Sequence, residues 1–521
     1  MKPTSRRPPA PAAPEERPRL VFTPPPDVAA PKPPTIRRGL ALTAIVLGSS
    51  LAFIDGTIVS VALPAIQGDL KAQPSQIQWV ANGYLLALGA LVLVGGAAGD
   101  RYGRKRLFIA GVAIFTLASL LCGAVWTVEN LIAARVLQGI GAALMVPTAL
   151  ALIPVCWGER ERGRALGIWA GASALATALG PVLGGWLVDE AGWRWVFLIN
   201  GPVALVAVLL ALVAIPENRD DRAEPPDWAG AVLASAMLGL LGWALSGATE
   251  WGLASLRFVG AMAAAVAAFV LFVIVERRLR APMLPLEMFR YRAFTGVNLL
   301  TFALYLAMSG AIYLLPFEWM RVDGFSAVQT GVALLPFSAV IGIGSPLAGR
   351  AADALGPRPF LVIGPLLAAA GCVLLIFPAA GADYWTGWFP GLLVLSLGMA
   401  VTVAPLTAAL FASADEDRAG LASGINNAAA RVGGMVAVAL LTLVLSLTFA
   451  AMTDLGLEEA GRRLAAVMGG GGFEAAVSAD EKAAFRRGFQ VCMGVAAGFA
   501  ALAGLVAAFT IPPGRPDHSA A

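Results

Sequence analysis

The sequence predicts an all-α integral membrane protein: two matched six-helix halves with two extra helices between them, fourteen spans in all. Three observations carry this. The 521-residue chain is 58% hydrophobic and only 13% charged, with a mean hydropathy of +0.76; soluble domains average roughly 45–50% and about 25%. The apolar excess falls in charge-free runs long enough to cross hydrocarbon as a helix, roughly 20 residues each. A stretch of the first half also recurs in the second, as duplicated membrane halves do.

Taken in order, the expected spans are Leu40–Ile66, Ile77–Ala98, Leu107–Trp126, Leu131–Pro154, Ala165–Val188, Trp195–Ile215, Trp228–Ala248, Leu256–Val275, Phe294–Phe317, Gln329–Ala351, Phe360–Phe377, Trp385–Leu410, Leu421–Ala450 and Phe489–Ile511. Residues 1–36, rich in proline and basic, read as a disordered cytoplasmic tail without the apolar core of a signal peptide. Residues 37–216 form the first half, 227–276 the inserted pair, 293–512 the second half with an external loop at 452–488, and 513–521 a cytoplasmic tail. Trp79, Trp126, Trp195, Trp228, Trp251, Trp319 and Trp385 stand at span ends, where an interfacial aromatic belt belongs. Strand-length alternation is absent, which argues against an outer-membrane barrel.

Basic residues set the orientation. The even-numbered connections hold Arg101, Arg104, Lys105 and Arg106, then Arg160, Arg162 and Arg164, then Arg219 and Arg222, with Arg277, Arg278, Arg280, Arg290, Arg292, Arg358 and Arg418 further on. The short odd ones hold Lys71, Arg194 and Arg321, with Arg257 near an edge. The even connections and both termini are therefore expected in the cytoplasm of a bacterial-type inner membrane.

Several classes are disfavoured. The net charge is only +4 and the basic residues form no single stripe, so nucleic acid is not an expected partner. Cys122, Cys156, Cys372 and Cys492 lie far apart in apolar runs and read as small buried hydrophobes. His518, the one histidine, sits near the C-terminus, which argues against a histidine triad, a His-ligated metal or a haem. No GxxxxGKS-type loop is present.

The repeat pairs GGAAGDRYGRKRLFIAG, from Gly95, with AGRAADALGPRPFLVIG, from Ala348. Gly96 and Gly349, Asp100 and Asp353, Gly103 and Gly356, Lys105 and Arg358, and Gly111 and Gly364 share one offset of 253 residues. Both copies join the second and third spans of their half.

The run Gly99–Arg106, GDRYGRKR, resembles the signature loop of the major facilitator superfamily. Its glycines permit a tight turn. Asp100 can pair with an arginine across the interface between halves and hold one state closed, while Arg101, Arg104 and Lys105 anchor the loop at an anionic leaflet. The alternative is that the basic residues only fix topology.

LAFIDGTIVSVALPAI, Leu51–Ile66, is similar to the first-helix motif of that superfamily's fourteen-helix drug:proton antiporters, with Ser60 where they usually carry Asn. Asp55 lies about fifteen residues into an apolar run, where a carboxylate is costly and normally faces a cavity or a partner. Desolvation disfavours the ionised form, so Asp55 could exchange a proton between states; the alternative is a satisfied Asp tying helices together. NLIAARVLQGIGAALMVPTALAL, Asn130–Leu152, resembles the fourth-helix motif. Arg135 there stays charged and needs an acceptor, and Asp55 is the natural one. The resemblance links this arginine to proton transfer; a static tie through Arg135 and Gln138 is the other reading.

GIWAGASALATALGPVLGGW, Gly167–Trp186, resembles the fifth-helix antiporter motif, with Ala176 in place of a frequent glycine. Gly180–Pro181 interrupts the helix ladder and can kink it, and Gly184 and Gly185 admit a close neighbour. Within the superfamily this motif accompanies export. WRWVFLINGP, Trp193–Pro202, also fits. Asn426, Asn427 and Arg431 either line a cavity or tie helices. Asn82 and Gln138 are further cavity candidates, and Glu318 is either a cation-attracting or a merely solvated carboxylate.

The resemblance implies a monomeric secondary transporter in the bilayer that exchanges protons for small lipophilic or amphipathic molecules. It needs no cofactor beyond the proton gradient. A dedicated exporter of one metabolite and an importer are the alternatives within transport. A membrane enzyme would need a cluster of nucleophile, base and orienting group, and the spans contain none.

Overall fold

The computed structural model describes residues 35–157, 159–219, 226–252, 254–279, 282, 284–378, 381–413, 419–469 and 478–513. The expected N-terminal tail, but for its last two residues, and nearly all of 513–521 lie outside them, as do Arg222, Arg280 and Arg418 of the basic pattern.

Sixteen helices follow in order: α1 (Thr35–Leu70), α2 (Pro74–Tyr102), α3 (Arg104–Ala124), α4 (Val128–Cys156), α5 (Glu159–Glu190), α6 (Trp195–Leu198), α7 (Asn200–Ala214), α8 (Trp228–Trp251), α9 (Leu256–Glu276), α10 (Arg292–Phe317), α11 (Ala327–Leu355), α12 (Pro357–Leu374), α13 (Phe389–Ala412), α14 (Ala419–Thr453), α15 (Leu457–Gly469) and α16 (Ala479–Thr510). Among the described residues fourteen spans are long and apolar enough to cross a bilayer; α6 and α7 make one of them, and α15 is not among them. An even number of crossings places the start of α1 and the end of α16 on one side, the terminal face. Glu318–Val322 and Tyr384–Trp388 are π-helical turns at the opposite, distal face.

In the first half α2 and α3 pack on α4, and α1 packs on α5 and α7. The second half repeats the scheme, with α11 and α12 on α13, and α10 on α14 and α16. The halves meet along α5 and α11 and along α2 and α14. Helix α8 packs against α9, α2 and α14. Helix α9 shows Val259, Val266, Phe269 and Val270 outward, as a lipid-facing helix should.

The repeated sequence has a repeated conformation. Gly103 separates α2 from α3 at φ +114°, and Gly356 separates α11 from α12 at φ +83°. Both are positive-φ turns that side-chain-bearing residues avoid. The four cysteines are buried and unlinked.

Two expectations need correction. The stretch 452–488 is not a plain loop: it contains α15, and α16 starts at Ala479 rather than Phe489. Polar residues open α16, where Ser478 and Glu481 form a capping box, and a hydropathy reading does not see that turn. Trp319 is no belt residue either. It is fully buried, with ring centroids of Phe325, Tyr384 and Trp388 5.9–6.3 Å away. Trp126, Trp195, Trp228 and Trp385 are exposed at span ends.

Candidate functional site

The two charges inside apolar helices of the first half find each other. Arg135, from α4, donates through one terminal guanidinium nitrogen to Asp55 Oδ2 of α1 at 2.6 Å and to Gln138 Oε1 at 2.7 Å. Gln138 Nε2 donates to Asp55 Oδ1 at 2.9 Å, closing a ring of three side chains. Arg135 Nε donates to the Val80 carbonyl of α2 at 3.0 Å, and its guanidinium carbon lies 4.5 Å from the centre of the Tyr84 ring. Asp55 and Gln138 are 0% exposed and Arg135 is 2% exposed. An ionised pair so deep persists only if each charge meets its opposite and the remaining donors find acceptors; here both carboxylate oxygens accept.

The network is sealed within the first half, so of the two surroundings expected for Asp55, a cavity or a partner, the structure shows the partner. The next residue, Gly56, is exposed, so the network lies one position from an accessible surface of α1. Sequence reasoning found Asp55, Arg135 and Gln138; the Val80 carbonyl and the Tyr84 face gave no sequence signal.

The small residues of α5 admit close neighbours on two sides, α1 of the same half and α11 of the other. Gly180 and Gly184 lie against Thr57 and Ile58 of α1, leaving no room for a Cβ. Gly185 is pressed against Ala327 and Val328 of α11 in the same way, and Gly331 against Pro181 and Val182. Helix α5 runs unbroken through Pro181. Asp189 closes the junction: its carboxylate accepts from the Ala327 and Val328 amides, at 3.3 and 2.9 Å, capping α11 from the other half. Arg321 donates to the carbonyl of Pro64 across the same face, and Gln67 reaches the Ala465 carbonyl of α15 at 3.4 Å. The distal face is thus closed.

On the terminal face, Asp100 pairs with Arg104 of its own loop at 2.8 Å, and among the described residues not with an arginine across the interface as expected. Arg104 also meets Asn218, and Lys105 donates to the Leu212 carbonyl and, through its amide, to Glu217. These contacts tie the loop to the end of the sixth span in the same half. Gly99 packs on Thr148, and Arg101 is exposed.

The other candidates divide. Asn426 donates to Thr301 at 2.7 Å and to Asn298 at 3.3 Å, tying α14 to α10, and with Asn427 it also lines a cavity of about 170 Å³ beside Tyr305. Arg431 stands half-buried where α14 crosses Gly89 of α2. Asn82 is buried and neither amide atom has a hydrogen-bond partner. Glu318 is neither solvated nor substrate-facing. It is fully buried and paired with Arg486 at 2.6 Å; that arginine lay in the stretch read as loop. Among the described residues no group of three or more His, Cys, Asp or Glu side chains could hold a metal.

The Major Facilitator Superfamily family model matches residues 45–438 and, separately, 299–521. The chain is 37% identical over 408 residues to the tetracenomycin C resistance and export protein of Streptomyces glaucescens, covering 78% of this chain and 75% of that one. It is 36% identical to the puromycin resistance protein pur8 of Streptomyces alboniger, covering 81% and 84%. It is 33% identical to the multidrug resistance protein Stp of Mycobacterium tuberculosis, covering 81% and 78%. A solved bacterial homologue of the human lysosomal transporter Spinster, inward-facing and unoccupied, shares the fold with a TM-score of 0.64 at 17% identity, covering 91% and 97%. By a family model that matches most of its length and by these relatives, the chain, with its two matched helical halves, belongs to the Major Facilitator Superfamily.

Proposed function

We propose that this transporter exports small lipophilic or amphipathic compounds from the cell by proton antiport. The observation that carries the proposal is the Asp55–Arg135–Gln138 network, sealed at 0–2% exposure one residue from the accessible Gly56. Ionised, Asp55 is matched by Arg135; protonated, it leaves a guanidinium that must find another acceptor. Exchange of a proton at Asp55 would therefore change how α1, α2 and α4 are held together. A change of that kind can bias a two-state transporter.

The basic pattern supports cytoplasmic termini and an inner-membrane location, which makes the closed distal face external. Relatives named for resistance to tetracenomycin C and puromycin, and for multidrug resistance, support export. The chain works as a monomer, without a cofactor, on the proton gradient. Because two of those relatives are named for single antibiotics, a dedicated exporter of one compound is the second reading.

The test is efflux of a fluorescent lipophilic dye from cells, with and without a protonophore, for wild type and Asp55→Asn. Gradient-dependent efflux that the substitution abolishes is expected. Gradient-independent efflux, or an unaffected variant at equal expression, contradicts the proposal.

A further inference from the structure

Two arginines of the spans are answered by buried carboxylates, Arg135 by Asp55 and Arg486 by Glu318. Arg431 of α14 is not: among the described residues it has no hydrogen-bond acceptor and no ion-pair partner. It stands about 15 Å along the span Leu421–Thr453, at about 1.5 Å of rise per residue. Its Cβ faces α2 of the first half, 3.1 Å from where a Cβ on Gly89 would lie. Its charge acts on the hydroxyls of Tyr84, from α2, and of Tyr305, from α10. The guanidinium therefore belongs to the seam between the halves, where a transporter built from two repeats places its substrate.

A recess lies beside it. Asn427, one turn before Arg431, is exposed; with Tyr305 it lines the cavity of about 170 Å³ between α10, α13 and α14. Neither the Asn427 amide nor the Tyr305 hydroxyl has a hydrogen-bond partner among the described residues. Leu304, Val403 and Leu406 supply apolar wall. An apolar cavity of about 150 Å³ holds one benzene ring, so this recess has the size of a single aromatic ring. Apolar walls with a few convergent polar groups are the ordinary form of a small-molecule site.

We propose that the exported compound is aromatic and carries an anionic oxygen group, with its charge held by Arg431 and its ring in the recess of Tyr305 and Asn427. The inference rests on the exporter reading and names its substrate class. A cation at this depth without an acceptor is costly, and a guanidinium offers an oxyanion parallel N–H donors. The solute brings the acceptor that the chain does not provide. Asn427 and Tyr305 are left to meet polar substituents beside the ring. A neutral analogue forgoes the ion pair and a cationic one is repelled, so charge sets the order of affinity.

The experiment is equilibrium dialysis of the purified full chain in detergent, corrected with protein-free micelles, against radiolabelled 4-butylbenzoate, 4-butylbenzamide and 4-butylbenzylammonium. These probes share a ring and a tail and differ in charge. The benzoate should bind at least about tenfold more tightly than the amide, as one charge-assisted contact allows, and the ammonium should bind most weakly. Arg431→Gln should bring the benzoate down to the amide and leave the amide unchanged, while Arg431→Lys should keep the order. Asn427→Asp sets a carboxylate one turn from Arg431, supplies the counter-charge from within, and should also cancel the benzoate's advantage; it decides the matter should Arg431→Gln fail to fold. Absence of benzoate binding, a benzoate bound no better than the amide, or a preference that outlives these two substitutions overturns the proposal. Displacement of the benzoate by an equal concentration of chloride does so too, because the site then takes inorganic anions. Loss of the charge preference with gradient-driven dye efflux intact removes this inference and leaves the exporter reading standing. The reverse, a preference that depends on Arg431 with efflux indifferent to the gradient, removes the proton-coupled reading and leaves the aromatic-anion site.

Discussion

Replacing Asp55 by Asn keeps the shape of the side chain and removes its charge, and the structure says what that costs. Two donors point at the carboxylate, Arg135 at 2.6 Å and Gln138 at 2.9 Å. Asparagine offers one acceptor where the carboxylate offers two, so one donor is left facing an amide N–H. The guanidinium, 2% exposed, keeps only neutral acceptors, Gln138 Oε1 and the Val80 carbonyl. Breaking one side of a buried pair typically costs about 3–5 kcal/mol; the two remaining acceptors put this site at the lower end, about 3 kcal/mol. The double variant Asp55→Asn/Arg135→Gln removes both charges and should recover much of that loss. Denaturant unfolding in mixed micelles, run as a double-mutant cycle, should return a coupling energy of about 2–3 kcal/mol. Single effects that add to within about 0.5 kcal/mol would refute the reasoning, because uncoupled side chains do not form a pair.

Three further outcomes follow from the same geometry. Gly185→Leu cannot fit between α5 and α11; it should force the distal face apart and abolish transport, seen as cysteine labelling at Val328→Cys by a membrane-impermeant maleimide. Gly103→Ala at φ +114° meets both backbone strain and Glu217, and should lower the melting temperature by an amount equivalent to about 1–2 kcal/mol, whereas Gly167→Ala, with open space around it, should be neutral or slightly stabilising. Asp69→Asn breaks a pair with Arg194 whose carboxylate is 48% exposed; solvent screening limits the loss to less than about 1 kcal/mol, well below the Asp55 effect in the same assay.

Much of the fold was legible because lipid makes an unpaired polar backbone so costly that a long apolar run has few alternatives to a helix. The same cost made the Asp55–Arg135 pair readable: two charges in apolar runs must meet, and Gln138 lies one turn from Arg135. What escaped did so for physical reasons. Hydropathy marks the slab a helix crosses, not the helix, so the polar first turns of α16 and the amphipathic α15 were read as loop. Arg486 was lost with them. Without it Glu318 looked like a solvated interfacial carboxylate, since its partner is 168 residues away. Asp100 was expected to bridge the halves, and pairs instead with Arg104, one turn further along. An arginine four residues along the same loop is within reach in any arrangement of the halves, and the hydropathy pattern does not rank it against one across the interface.

The central claim is that Asp55 carries the exchanged proton, and the most direct measurement is proton movement across proteoliposomes loaded with a pH-sensitive dye while a gradient of a transported compound drives exchange. Wild type should move protons in the direction opposite to the compound, and Asp55→Asn should move none. Equal proton movement by both proteins would contradict the account.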